Sequence, residues 1–174
     1  MNERYIQFTS GQASLVGIVS PADGKVGLLI VVGGPQYRIG SHRQFVKLCR
    51  AAAAANIPAL RFDVRGMGDS SGIAQPFYQQ TADIQAAIEQ FFHCQPQLQK
   101  IVVWGLCDGA SGILLALRAQ QDPRIAGVVL VNPWVRQEQS YAQTMVKHYY
   151  AKRLLEKEFW QKVFTGKLAL TESV

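Results

Sequence analysis

The sequence predicts an α/β fold with three layers, in which a mostly parallel, doubly wound sheet lies between helices. Two observations support this prediction. Short, continuous apolar runs such as Val26–Val32 and Ile125–Val131 are typical of strands buried on both faces. These runs alternate along the chain with amphipathic segments of helical periodicity, which is typical of parallel sheets. A leading pair of strands, joined at Ser10-Gly11-Gln12, predicts an antiparallel hairpin at one edge.

The individual elements follow from periodicity and from the residues that end each run. Ser41 is expected to cap the first helix, Thr81 the second, and Asn132-Pro133 to end the last strand. The predicted strands are Tyr5–Phe8, Ser14–Val19, Val26–Val32, Ala59–Phe62, Lys100–Trp104 and Ile125–Val131. The predicted helices are His42–Ala55, Thr81–His93, Ser111–Gln120 and the region Gln137–Phe164.

Composition narrows the class of protein. The 174 residues fit one domain, and no apolar run has the roughly 18–20 residues of a membrane span. The amino terminus lacks the pattern of a signal peptide, so a cytoplasmic protein without stable membrane insertion is expected. The net charge of +6 comes from scattered residues, which does not favour a nucleic-acid partner. Three cysteines without paired spacing argue against disulfides and zinc, and no phosphate loop is present, so no cofactor and no metal are expected.

The segment Gly105-Leu106-Cys107-Asp108-Gly109 has the form G-x-C-x-G between a strand and a helix. A turn this sharp requires small residues on both sides, because side chains at Gly105 and Gly109 would collide with their surroundings. Such a turn lifts Cys107 above the sheet at a helix N-terminus, where the dipole favours the thiolate. The pattern therefore predicts a cysteine nucleophile, although a buried, inert cysteine is the ordinary alternative.

Two further loops are expected at the same edge of the sheet, because the carboxyl ends of parallel strands meet there. We expect an oxyanion hole from the backbone N–H of Asp108 together with that of Gly34 or Gln36, since the intervening Pro35 has no N–H. The glycine-rich loop Asp63–Gly72 follows the next strand. In that loop, Asp63 and Arg65 are expected to brace the backbone or to contact substrate.

The residues Arg61-Phe62-Asp63-Val64-Arg65-Gly66-Met67-Gly68-Asp69-Ser70 resemble the D-x-R-G-x-G-x-S loop of many α/β-hydrolases. Gly33-Gly34 resembles their H-G oxyanion segment, with glycine in place of histidine. More closely, segments at residues 34–38, 105–108, 132–136 and 147–150 resemble the exosortase A system-associated hydrolase 1 group, which is related to the serine aminopeptidases and is bacterial. The resemblance implies an α/β-hydrolase fold lacking its last strands, hydrolase chemistry and a small-molecule acyl substrate.

A nucleophile of this kind needs a base and an acid, and the superfamily places both after it in the chain. We expect the acid and the histidine to lie beyond Val174, with a truncated hydrolase core at residues 1–136 and a helical segment at 137–174 that begins a cap. Other roles are weighed for three nearby residues. His42 opens a helix or contacts substrate, Ser111 packs or hydrogen-bonds near the sulfur, and Asp108 would disfavour the thiolate if it pointed at Cys107.

Three functions remain open on the sequence. The first is a thiol hydrolase of an ester, thioester or amide bond. The second is an acyltransferase on the same fold, since a thioester intermediate suits transfer to acceptors other than water. The third is an inactive fragment or pseudoenzyme that binds a partner, and an exposed sheet edge would also allow self-association.

Overall fold

The computed structural model describes residues 3–133. The predicted helical segment at residues 137–174 lies outside the described residues and stays a prediction. The strands are β1 (Arg4–Ser10), β2 (Ala13–Ser20), β3 (Val26–Val31), β4 (Ala59–Phe62), β5 (Lys100–Leu106) and β6 (Ile125–Val131). The helices are α1 (Gln44–Ala54), α2 (Thr81–Cys94) and α3 (Asp108–Ala119).

The six strands form one mixed sheet in the order β1-β2-β4-β3-β5-β6. β1 pairs with β2 and β2 with β4 in antiparallel fashion, whereas β4, β3, β5 and β6 run parallel. This arrangement confirms the predicted α/β class, the parallel sheet and the hairpin. The loops that follow β3, β4, β5 and β6 consequently all emerge at one edge of the sheet.

Helices cover the two faces of the sheet unequally. α2 and α3 pack on one face over the larger core cluster, which includes Leu29, Phe62 and Phe91. α1 packs on the other face over a smaller cluster, where Phe45 meets Trp104 edge-on with ring centroids 5.6 Å apart. Successive residues of a strand point to opposite faces, so the continuous apolar run of β3 supplies both cores at once.

The start of α1 differs from the sequence prediction. Ser41–Arg43 forms a short 3₁₀ turn and α1 begins at Gln44, without a capping hydrogen bond from Ser41. His42 and Arg43 adopt φ values of 50° and 62°, a left-handed conformation that stops the α-helix from extending backward. α2 begins at Thr81 itself, again without a side-chain cap.

An ion-pair network fastens the amino terminus to the α1 face. Glu3 accepts hydrogen bonds from Arg50 of α1 at 2.8 Å and from the buried Arg61 of β4 at 3.0 Å. The hydrogen bond from Arg50 and the proximity of Arg61 lower the pKa of Glu3 to about 2. Burial raises the pKa of the neighbouring Cys49 thiol to about 11, which keeps it protonated and unreactive at neutral pH.

Replacing Glu3 with Gln should cost about 1 kcal/mol of unfolding free energy at pH 7, because one partner, Arg50, is largely exposed. The pKa of Glu3 lies below its ordinary value of 4.5, so the wild-type advantage is complete above pH 4.5 and is lost as the pH falls towards about 2. Urea unfolding of both proteins at pH 6 and pH 3 measures this. If the two proteins differed in unfolding free energy by as much at pH 3 as at pH 6, the low pKa of Glu3 would be contradicted.

Candidate functional site

Cys107 lies in the one-residue turn between β5 and α3. Its backbone has φ 50° and ψ −116°, a conformation that costs a residue with a side chain on the order of 1–3 kcal/mol. The side chain is half-buried rather than enclosed in the core. The peptide N–H of Cys107 donates to the carbonyl of Val131 at 2.9 Å, which continues the β5–β6 ladder past the end of β5.

Gly105 and Gly109, on either side of Cys107, leave no space for a Cβ atom. A Cβ on Gly105 would lie 2.6 Å from Ile113 Cδ1 and 2.7 Å from the nitrogen of Ala110. A Cβ on Gly109 would lie 2.4 Å from the carbonyl oxygen of Val31 at the end of β3. All three distances are too short for a carbon atom, so the first turn of α3 rests directly on the ends of β5 and β3.

The segment after β3 contacts the first turn of α3. A Cβ on Gly33 would lie 2.1 Å from the nitrogen of Gly109 and 2.9 Å from that of Asp108. Gly34 has φ 66°, and a Cβ built on it would lie 3.9 Å from the Asp108 carboxylate. Gln36 lies farther along the same loop, where its side-chain oxygen accepts a 3.5 Å hydrogen bond from Gln44 of α1. The structure thus brings the Gly33–Gly34 segment beside Asp108, as the oxyanion-hole prediction requires; the role itself stays a prediction.

A buried carboxylate ties the loop after β3 to the loop after β4. Asp63 is fully buried and accepts hydrogen bonds from the backbone and the guanidinium of Arg38, the former at 2.6 Å. It also accepts the N–H of Asp69 at 3.1 Å, and Asp69 in turn binds the same guanidinium at 2.5 Å. Desolvation opposes the charge of Arg38, but the hydrogen bonds that its guanidinium donates to Asp69 and Asp63 outweigh desolvation and raise the pKa of the guanidinium. Arg38 was not singled out from the sequence, because its partner lies 25 positions away.

Arg65 has a different partner from Asp63. Its guanidinium binds the fully buried carboxylate of Asp83 in α2 at 2.5 Å and the Ser10 hydroxyl at 2.8 Å. Asp63 and Arg65 thus anchor the loop after β4 at two separate points, one to the loop after β3 and one to α2. Their roles in loop support or substrate contact stay predictions.

The remaining predicted site residues lie at the same edge in different settings. Ser111 is buried in α3, and its N–H donates to the Cys107 carbonyl at 3.1 Å. His42 is exposed at the strained turn before α1. Another histidine, His148, belongs to the predicted helical segment at residues 137–174 and lies outside the described residues.

One residue at the site was missed from the sequence. Asn132 follows β6 with φ 49°, and its side-chain nitrogen lies 3.6 Å from the sulfur of Cys107. From the sequence, Asn132 is expected to end the last strand and belongs to the segment 132–136 that carries the resemblance, but no role at the site is expected for it. The available signal was that it follows the strand paired with β5, at the same edge as Cys107.

A cavity lies away from Cys107. It has a volume of about 210 Å³ between α2 and α3, and its lining includes the apolar residues Ile84, Ile113 and Leu117 and the polar residues Gln85 and Gln120. Cys107 does not line it. Among residues 3–133, no group of three or more histidine, cysteine, aspartate or glutamate side chains could hold a metal ion. No helix in this part of the chain is long and apolar enough to cross a membrane.

The strand order and the close glycine turn after β5 define the α/β-hydrolase class of fold. Residues 28–169 match the family model described as serine aminopeptidase, S33, and the chain belongs to this family. No curated protein matches the chain.

Solved structures of the same fold resemble the chain at low sequence identity. The esterase Pf2001 of Pyrococcus furiosus superposes with a TM-score of 0.71 at 20% identity, over 95% of this chain and 63% of the esterase. The α/β hydrolase GrgF from Penicillium sp. sh18 gives a TM-score of 0.69 at 22% identity, over 88% and 54% of the two chains. Est1E from Butyrivibrio proteoclasticus, solved with ferulic acid, gives 0.63 at 17% identity, over 74% and 52%. The chain therefore spans less than two thirds of the length of these structures.

Replacing Gly109 with Ala should destabilise the protein by about 2–4 kcal/mol, because the new methyl group meets the backbone of β3. Gly127→Ala is the matched control, since nothing lies within 4 Å of a Cβ at that position in β6. Chemical denaturation of both variants measures the difference. Equal stability of the two variants would show that the contact between β3 and α3 is not tight.

Replacing Asp63 with Asn should cost about 3 kcal/mol of unfolding free energy, because the buried partner of Arg38 loses its charge. Asp69→Asn removes a carboxylate from the same guanidinium, but Asp69 is 67% exposed, so about 1 kcal/mol or less is expected. Urea unfolding at pH 7 compares the two. Similar losses of unfolding free energy in both variants would show that the burial of Asp63 does not make its carboxylate more important for stability than that of Asp69.

Proposed function

We propose that the chain carries the nucleophile of a thiol hydrolase that cleaves ester, thioester or amide bonds, with Cys107 as that nucleophile. The observation that carries the proposal is the backbone of Cys107, a non-glycine residue at φ 50° between glycines that cannot accept a side chain. Strain of this kind persists only where the surrounding structure enforces it, and it is concentrated at functional sites. Membership of the serine aminopeptidase family supports hydrolytic chemistry for this position.

The reaction begins with attack of the Cys107 sulfur on a carbonyl carbon. The S–C bond forms, and the carbonyl π electrons move to oxygen, which faces the N–H of Asp108 and an N–H of the Gly34–Gln36 segment. Collapse of this intermediate breaks the bond to the alcohol, thiol or amine, which leaves with a proton, and a thioester stays on Cys107. Water then attacks the thioester, the carboxylic acid departs and the thiol is regenerated.

The proton transfers require a base. The α/β-hydrolase resemblance assigns this task to a histidine oriented by an acid, both later in the chain than the nucleophile and outside residues 3–133. The positions of Arg38, Asp63, Arg65 and Asp83 support roles in holding the loops around Cys107 rather than in proton transfer. We also propose that the chain is related to the exosortase A system-associated group. This relationship does not identify a substrate.

Incubation with a small activated ester tests the nucleophile directly. We expect an acyl adduct on the peptide containing Cys107 by mass spectrometry, and none at this position in Cys107→Ala. Cys94→Ala is the matched control because Cys94 is also half-buried but lies at the end of α2, and it should leave the adduct unchanged.

Product analysis then separates hydrolysis from transfer. Release of the free acid supports a hydrolase, whereas preferential appearance of the acyl group on an added alcohol or amine supports an acyltransferase. A folded protein that is never acylated at Cys107 would contradict the proposal and favour a binding role.

A further inference from the structure

Asn132 and Cys107 occupy equivalent places at the ends of two neighbouring parallel strands. In the β5–β6 register Leu106 is opposite Val131, so each of the two residues is the first one past its strand. Both have a left-handed backbone, with φ 49° at Asn132 and φ 50° at Cys107. The hydrogen bond from Cys107 N–H to the Val131 carbonyl holds the two turns together.

This arrangement directs the Asn132 amide to the sulfur. The side-chain nitrogen lies 3.6 Å from Sγ, within range of an N–H···S hydrogen bond, and an amide nitrogen can only donate. Asn132 is exposed, so the bond does not rescue a buried polar group from desolvation. A thiol is a weak acceptor, whereas hydrogen bonds to charged acceptors are about twice as strong as neutral ones.

We propose that Asn132 is a catalytic residue that donates a hydrogen bond to the Cys107 thiolate and stabilises it for nucleophilic attack. The inference rests on the proposed function, in which Cys107 is the nucleophile. It adds a donor from β6 to the favourable field of the α3 N-terminus. Asp108 is the ionisable residue next to Cys107 on α3, and one of its carboxylate oxygens lies 3.9 Å from a Cβ built on Gly34.

Two substitutions at Asn132 distinguish the effect of its side-chain amide from the effect of its backbone conformation. Asn132→Gly preserves the left-handed φ, which glycine adopts without strain, and removes only the side chain. Asn132→Asp keeps the size of the side chain but replaces the donor with a carboxylate. Asn56→Gly is the matched control, because Asn56 also has a positive φ of 62° but lies before β4, at the opposite edge of the sheet.

The test is the rate of alkylation of Cys107 by iodoacetamide at pH 7 without substrate, followed peptide by peptide by mass spectrometry. Loss of a hydrogen bond to a charged group should slow Asn132→Gly about tenfold, and Asn132→Asp should be slower still. Asn56→Gly should react at the wild-type rate. Cys94 in the same samples reports on general changes in exposure, and circular dichroism confirms that each variant is folded.

An unchanged alkylation rate in folded Asn132→Gly would overturn the proposal, as would an equal loss at Cys94. The readout is independent of ester cleavage. Failure of the proposed function would appear as an absence of acylation at Cys107 in the wild-type chain, even if Asn132 governs the reactivity of the thiol. Failure of the present inference would appear as normal acylation together with alkylation that is insensitive to Asn132.

Discussion

The contact between the end of β3 and the first turn of α3 is the constraint on which the site depends. Backbone meets backbone there, because Gly33 and Gly109 leave no room for a Cβ between Val31 and the helix. The helix can approach this closely only if the chain turns within a single residue after β5. That residue is Cys107, and its left-handed conformation follows from the packing on both sides of it. The position of the sulfur is thus determined by the parallel pairing of β3 with β5.

Two buried carboxylates hold the loops around this contact. Burying a carboxylate away from water costs folding free energy unless a cation and several N–H groups surround it. Asp63 satisfies this condition with Arg38 and the N–H of Asp69, and Asp83 satisfies it with Arg65. Each pair connects segments that are distant in sequence. The loop after β3 is therefore fastened to the loop after β4, and that loop to α2.

The sequence was sufficient for features that depend on local pattern. The buried run of β3 and the glycines around Cys107 predicted the sheet and the turn, because periodicity and steric demand act over a few residues. Partners were not predictable in the same way. Arg38 and Asn132 gain their contacts through the order of the strands, which a single sequence does not specify. The start of α1 was wrongly predicted at His42 with Ser41 as its cap. α1 begins at Gln44, because His42 and Arg43 adopt left-handed backbone conformations that an α-helix cannot include.

The central place of β3 also has a consequence for how the chain is made. Both neighbours of β3 in the sheet, β4 and β5, are translated after it. At about 5–20 residues per second, β5 is completed on the order of ten seconds later than β3. Until β4 is translated, both hydrogen-bonding edges of this apolar strand are free on the ribosome, and the edge that pairs with β5 stays free for the whole interval. Molecular chaperones that bind extended hydrophobic segments would find their target here, before the turn at Cys107 exists.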